Sequence, residues 1–248
     1  MSATDFSFEW AFLGLAFAAA GMYVWAARRD RPPTWRAATF AAGLFLIAAS
    51  LNSPLETIAA KRLLLVHLLQ NALIADIAPL LILIGLTPSM RAWLDGHGAR
   101  HIRARYALPA WLIAWYATHL AGFYNWALDT GWALNIEHGV LILGGLLFWW
   151  PIVSGRLATP AGLAYLGAGF VASSFLGLAL IFSSRPFYSF YVHAQRLWGL
   201  SPSRDQNLGG ILMNAEQTIV FLLAIGYYVW RLLEDEHVSG AGESPAAR

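Results

Sequence analysis

Cysteine is absent from the 248 residues, which excludes disulfides, thiolate metal sites and thiol catalysis. Any bound metal must be held by histidine, methionine, carboxylate or amide. Charge is scarce as well. Asp, Glu, Lys and Arg together make 12% of the chain, about half of the roughly 25% of an ordinary soluble domain. No polar block is long enough to fold by itself, and no internal repeat of the kind that marks many secondary transporters is visible. What is there is apolar: 58% of the residues are hydrophobic and mean hydropathy is +0.54. These proportions predict an integral membrane protein, an all-α bundle of transmembrane helices in a lipid bilayer. The net charge of +2 and the pI near 9.0 do not point to nucleic acid. The charges fall in short segments between apolar runs and form no single basic surface.

Seven apolar runs, at about residues 10–27, 37–51, 63–86, 106–123, 135–153, 160–182 and 209–232, approach the roughly 20 residues that a spanning helix needs. They define a single membrane domain, 1–236, followed by a tail, 237–248, poor in apolar groups and expected to be disordered. Asp5 and Glu9 precede the first run, and Arg28, Arg29 and Arg31 follow it. A cleaved signal peptide has its positive charge in front, so the order predicts a retained span with its N-terminus outside. Asn52-Ser53-Pro54 closes the second run, because the residue before proline is pushed out of the α region. Pro109 falls in the first turn of the fourth, where proline is tolerated. FYNWALDTGWALNIE reads as a loop without Lys or Arg, and 183–207 as the longest loop. With the N-terminus outside, eleven Lys and Arg fall inside (28, 29, 31, 36, 91, 100, 103, 105, 156, 231, 248) and five outside (61, 62, 185, 196, 204). The positive-inside rule thus predicts seven spans, N-terminus outside and C-terminus inside, and the expected location is a bacterial plasma (inner) membrane.

The third run, RLLLVHLLQNALIADIAPLLILIGLTP, carries His67, Gln70, Asn71 and Asp76. His67, Gln70 and Asn71 stand at i, i+3 and i+4 and share a helix face, which must turn into the bundle because polar groups are costly against lipid. His119 ends the fourth run on the same outer side, and His138 lies near the start of the fifth. Met213, Glu216 and Gln217 share a face early in the seventh, and His193 and Asp205 lie in the outer loop before it. His97 and His101, in the basic inner loop, and His237, in the tail, stand apart. Imidazole and thioether together suit copper, Cu(I) above all, better than calcium or magnesium. Asp76 lies about 13 Å deeper than His67 and about half a turn away, a position for proton relay or for pairing with another helix.

Plainer readings stand beside these. A single histidine near a helix end is most often an interfacial residue bonded to a loop carbonyl. Met213 alone is ordinary packing, and Gln70 and Asn71 are interhelical hydrogen-bonding groups. Trp126, Trp132, Trp149, Trp150 and Trp198 read as interfacial anchors. It is the grouping of three histidines at one depth on three separate spans that favours a site.

Taken in order, Ser53-Pro54-Leu55, VHLLQNALIADIAPLLILIG, THLAGFYNWAL (118–128), IEHGVLILGGLLFWWPIV (136–153) and SPSRDQNLGGILMN resemble the polytopic CtaG family of cytochrome c oxidase assembly factors. The likeness runs from about residue 10 to 232. It implies a non-enzymatic role in maturing a haem-copper oxidase at its copper centres, with an oxidase subunit or a copper chaperone as partner. Onto this chain it carries His67, His119, His138, Asp205, Gln206 and Met213. Two positions depart from the family's pattern. The family tends to have a second histidine where this chain has Asn71, and tryptophan where it has Asn214. The alternatives are a copper transporter with Asp76 and Glu216 along its path, a haem-binding redox protein with two axial histidines, and a metal-free scaffold.

Overall fold

The computed structural model describes residues 5–241, with side chains as far as Glu234. Among these residues the chain is all-helical, without a strand. In order come α1 (Trp10–Asp30), α2 (Thr34–Leu51), α3 (Pro54–Lys61), α4 (Leu64–Ala72), a π-turn (Leu73–Ile77), α5 (Ala78–Gly85) and α6 (Pro88–Gly96). After a 3-10 turn, Ala99–His101, follow α7 (Ala104–Thr118), α8 (Ala121–Asp129), α9 (Gly131–Val153), α10 (Thr159–Phe182), α11 (Ser189–His193) and α12 (Pro202–Ala241). Among the described residues six helices are long and apolar enough to cross a membrane: Trp10–Asp30, Thr34–Leu51, Leu64–Gly85, Gly131–Val153, Thr159–Phe182 and Pro202–Glu234.

Several boundaries differ from those expected. The segment read as a loop, FYNWALDTGWALNIE, is helical over most of its length, as α8 and the first two turns of α9. The long loop 183–207 contains α11 and the first residues of α12, so Asp205 lies in a helix. Pro109 is the sixth residue of α7 and sits inside the helix, beyond its first turn. Of the tail, the residues up to Ala241 continue α12, and 242–248 lie outside the described residues. Trp149 and Trp150 are not interfacial anchors, being 0% and 4% exposed, whereas Trp126, Trp132 and Trp198 are exposed. Trp149 joins Trp111, Phe148 and Phe221 in an aromatic core, with Trp111 and Phe148 ring centres 4.3 Å apart. Trp150 donates its indole N–H to the Ala99 carbonyl at 2.9 Å.

Short capped helices close the spans. Ser53 caps α3, its hydroxyl accepting from the Leu55 N–H at 3.2 Å with Pro54 in the first turn. Thr87 and Pro88 repeat the device at the start of α6. Within the third span, Pro79 has no N–H to return to the Ala75 carbonyl, and its ring presses on that oxygen. The chain takes a wider turn there, with the Ala78 N–H on the Leu73 carbonyl. Helix α9 meets this turn backbone to backbone. A Cβ on Gly145 would lie 1.9 Å from the Ala75 oxygen, so only glycine permits the approach.

The two ends of the bundle are closed differently. At one, tyrosines tie α11 to its neighbours: the Tyr191 hydroxyl donates to Ala59 O of α3 at 2.6 Å and the Tyr188 hydroxyl to His119 O at 3.0 Å. At the other, arginines do the work, Arg36 on Leu86 O and Arg91 on Leu83 O and Val153 O, while Arg156 pairs with Asp95 at 2.5 Å.

Candidate functional site

Helix α4 presents one fully buried face, and His67, Gln70 and Asn71 lie on it, each 0% exposed. Their partners come from four other helices, one of them α11, whose Tyr191 meets His67. Gln70 donates to Ser50 O at the end of α2, at 2.8 Å, and to the Glu56 carboxylate of α3. Asn71 donates to Glu137 Oε1 of α9 at 3.2 Å. Glu137 also stands 3.5 Å from His67 Nε2, a contact that makes no hydrogen bond.

The tautomers of two histidines are set by their surroundings. The single proton of the Tyr191 hydroxyl is given to Ala59 O, since a carbonyl only accepts, so the 2.8 Å contact with His67 Nδ1 is a donation from the imidazole. His119, the residue that ends α7, is 2.8 Å from Trp115 O through Nδ1 and must donate there too. Both rings therefore hold a proton on Nδ1. Each Nε2 is buried, that of His67 facing Glu137 and that of His119 without a hydrogen-bond partner. His138, in the second turn of α9, is 0% exposed with neither nitrogen bonded. Glu137 Oε2, Asn71 Oδ1 and the Tyr124 hydroxyl are likewise unpartnered.

These side chains form one cluster. The ring centre of His67 is 5.9 Å from that of His138 and 5.0 Å from that of Tyr124, and His119 is 5.7 Å from Tyr124. Tyr124 stacks in turn on Tyr188 at 4.2 Å. The three histidines chosen from the sequence are thus gathered around Tyr124 and Glu137. Among the described residues no group of three or more His, Asp or Glu side chains is placed to hold a metal ion.

The other expected residues have different places. Met213 is 0% exposed and packs in the apolar cluster of Leu64, Leu68, Trp115, Tyr124, Tyr188 and Tyr191. Asp205 caps α4 from outside, accepting from Leu64 N–H at 3.0 Å and Leu65 N–H at 2.9 Å, and pairs with Arg196 at 3.2 Å. Its carboxylate is thereby occupied. Gln206 accepts from Phe187 N–H at 2.7 Å and holds the turn after α10. His193 is exposed on α11, as are His97 and His101 at the opposite end. Asp76, in the π-turn, and Gln217 are 0% exposed and belong to a second group with Glu216. Asn214 packs its side chain against Gly177 of α10.

Glu137, Tyr124, Tyr191 and Glu56 were not among the expected residues. Glu137 was hidden because its segment reads as a loop. The spacing Leu134, Glu137, His138, Leu141 is the signal that finds it, i, i+3, i+4, i+7, all buried. Glu56, outside the spans on α3, has its carboxyl pushed up to about 7 by burial, against the opposing hydrogen bond from Gln70.

The family described as cytochrome c oxidase caa3 assembly factor (Caa3_CtaG) matches residues 19–235. The chain belongs to this family. Every residue of the histidine cluster lies within the matched stretch of the assembly-factor family, as do Asp76 and Glu216. No curated protein and no solved structure matches the chain. As a member of an oxidase assembly family with several membrane-length helices, it is a membrane protein whose implied partner is the oxidase.

Proposed function

We propose that this assembly factor takes copper as its cargo at the histidine cluster, on the outer face of a bacterial plasma membrane, and passes it to an oxidase subunit without catalysing a reaction of its own. The observation that carries the reading is the fixed tautomer of His67 and His119. Histidines that ligate a metal ordinarily donate the other ring N–H to a carbonyl or a polar side chain, and here Ala59 O through Tyr191, and Trp115 O directly, supply that outer support. His67 Nε2 and the Glu137 carboxylate stand 3.5 Å apart, two donor atoms that a cation can share once the ring gives up any proton there. Two imidazoles sharing an ion through bonds of about 2 Å have ring centres roughly 5 to 6.5 Å apart, and His67 and His138 are 5.9 Å apart.

The donors are His67, His119 and His138 with Glu137 at hand. Closing them on one ion takes rotation of the rings. A set without thiolate holds copper less tightly than cysteine would, which suits a protein that must release its cargo. Asn71, standing where the family tends to have a second histidine, keeps a place in the site by holding Glu137. The haem reading gains no support, since His67 faces Glu137 rather than an open slot for a macrocycle.

The proposed topology has seven crossings with the N-terminus outside. His67 near the start of α4 and His138 near the start of α9 are in contact, so both helices begin at the same end. The chain must return to that end between Gly85 and Gly131, and α7 is the helix available. At 15 residues it spans about 22 Å, less than the roughly 30 Å of a hydrocarbon core. The arginine-rich end is then cytoplasmic. The test is metal content after copper loading: His67→Ala and His138→Ala each lower bound copper at least several-fold, and His97→Ala and His101→Ala leave it unchanged. Equal loss in both pairs, or none in either, contradicts the assignment.

A further inference from the structure

A second group of ionisable side chains lies deeper in the bundle and is not used by the histidine cluster. Asp76 sits in the π-turn, 0% exposed. Gln217 of α12, also 0% exposed, faces it within hydrogen-bonding reach. Glu216, next to Gln217, interacts electrostatically with Asp76, and both of its oxygens are buried and unpartnered. Two carboxyls and an amide thus meet where α12 packs on the π-turn, with no well-formed hydrogen bond to any group outside the trio.

Among the described residues no cation on the neighbouring helices is engaged with them: α10, packed along α12, has Tyr165 as its titratable residue, bonded to Phe148 O, and the first charged residue of α12 after Glu216 is Arg231, over the Tyr228 ring. The charged or titratable residue of α4 is His67, those of α9 are Glu137 and His138, and these face one another. Arg36, the one charged residue of α2, is at the far end on Leu86 O, and α5 has none. On α12 the nearest charged residue before Glu216 is Asp205, engaged with α4 and Arg196. Two ionised carboxylates in such surroundings are strongly disfavoured, and groups of this kind neutralise instead.

We propose that Asp76, Glu216 and Gln217 form an intramembrane proton-binding site, separate from the histidine cluster, in which the two carboxyls hold exchangeable protons and Gln217 can hydrogen-bond either one. The site gives the protein an exchangeable proton in the middle of the bundle, at the contact of α12 with the third span. Loss of a proton leaves a charge at that contact and loosens it.

Infrared spectroscopy of the full-length protein in detergent or lipid tests this. At neutral pH the wild type shows protonated-carboxyl C=O bands that shift on H/D exchange. Asp76→Asn and Glu216→Gln each remove one band, and Glu137→Gln removes neither. Glu56→Gln serves as the background for subtraction, because Glu56 is partly protonated in the same range. Monodispersity and helix content are checked for every variant, and the two single variants read the site independently. The proposal is overturned if the bands assigned to these residues are absent at neutral pH, if they survive in the double variant, or if sodium or copper salts abolish them, the last marking a metal-cation site in place of a proton site.

Discussion

At the scale of single residues, the decisive facts are where protons sit. Tyr191 and Trp115 O fix an N–H of His67 and of His119 on Nδ1, and that turns both Nε2 atoms into a buried cluster. Glu56 behaves differently, because it lies outside the spans and exchanges with water as the chain unfolds. Its carboxyl is raised by burial from its ordinary value of 4.5 to about 7. The folded state then holds the proton more tightly than the unfolded one, so the contribution to stability is complete below the ordinary carboxylate range and is lost as pH rises through about 7. The apparent melting temperature in detergent is expected to fall between about pH 5 and about pH 8, and Glu56→Gln is expected to flatten the dependence. An unchanged slope in the variant assigns the dependence to other groups.

At the scale of elements, the sequence shows some features through period and depth and conceals others through length. Counting residues from the ends of apolar runs places His67, His119 and His138 at one level; His67 and His138 stand ring to ring, and His119 reaches them through Tyr124. Helices α8 and α11, at nine and five residues, are too short to give an apolar period, so their tyrosines went unseen. Asp205 resembled a ligand because sequence alone does not say that a carboxylate caps the first turn of a helix 140 positions away. The π-turn was readable in part, as Pro79 marks the place, but its contact with Gly145 depends on three-dimensional packing. Gly145→Ala is expected to lower stability by about 1–3 kcal/mol, the usual cost of overpacking, because the new Cβ meets the Ala75 carbonyl rather than a side chain that can move. Thermal unfolding of the purified variant measures this. Gly139→Ala, at a position with nothing within 4 Å, is the control and is expected to change little.

At the scale of the whole molecule, the account joins an end closed by tyrosines, which holds the histidines, to an end closed by arginines. That arrangement predicts a sidedness. The absence of cysteine makes it simple to read, since a single introduced thiol is the sole one in the chain. Ser184→Cys, between α10 and α11, is expected to react with an impermeant maleimide added outside intact cells, and Gly96→Cys, at the end of α6, only after permeabilisation. Reaction of both from the same side removes the seven-crossing topology. Six of the seven apolar runs correspond to described helices of membrane-spanning length, and the run at 106–123 does not, since the basic residues before Ala104 and the turn at His119 leave α7 shorter than the bilayer core.

The central claim is that buried imidazole nitrogens converge on a copper ion. X-ray absorption of the Cu(I)-loaded protein reads this most directly. The account predicts a first shell of nitrogen or oxygen with the outer-shell scattering of two or three imidazoles, reduced by one ring in His138→Ala. A sulfur scatterer, which in a chain without cysteine means methionine, or a protein that retains no copper at all, would contradict it.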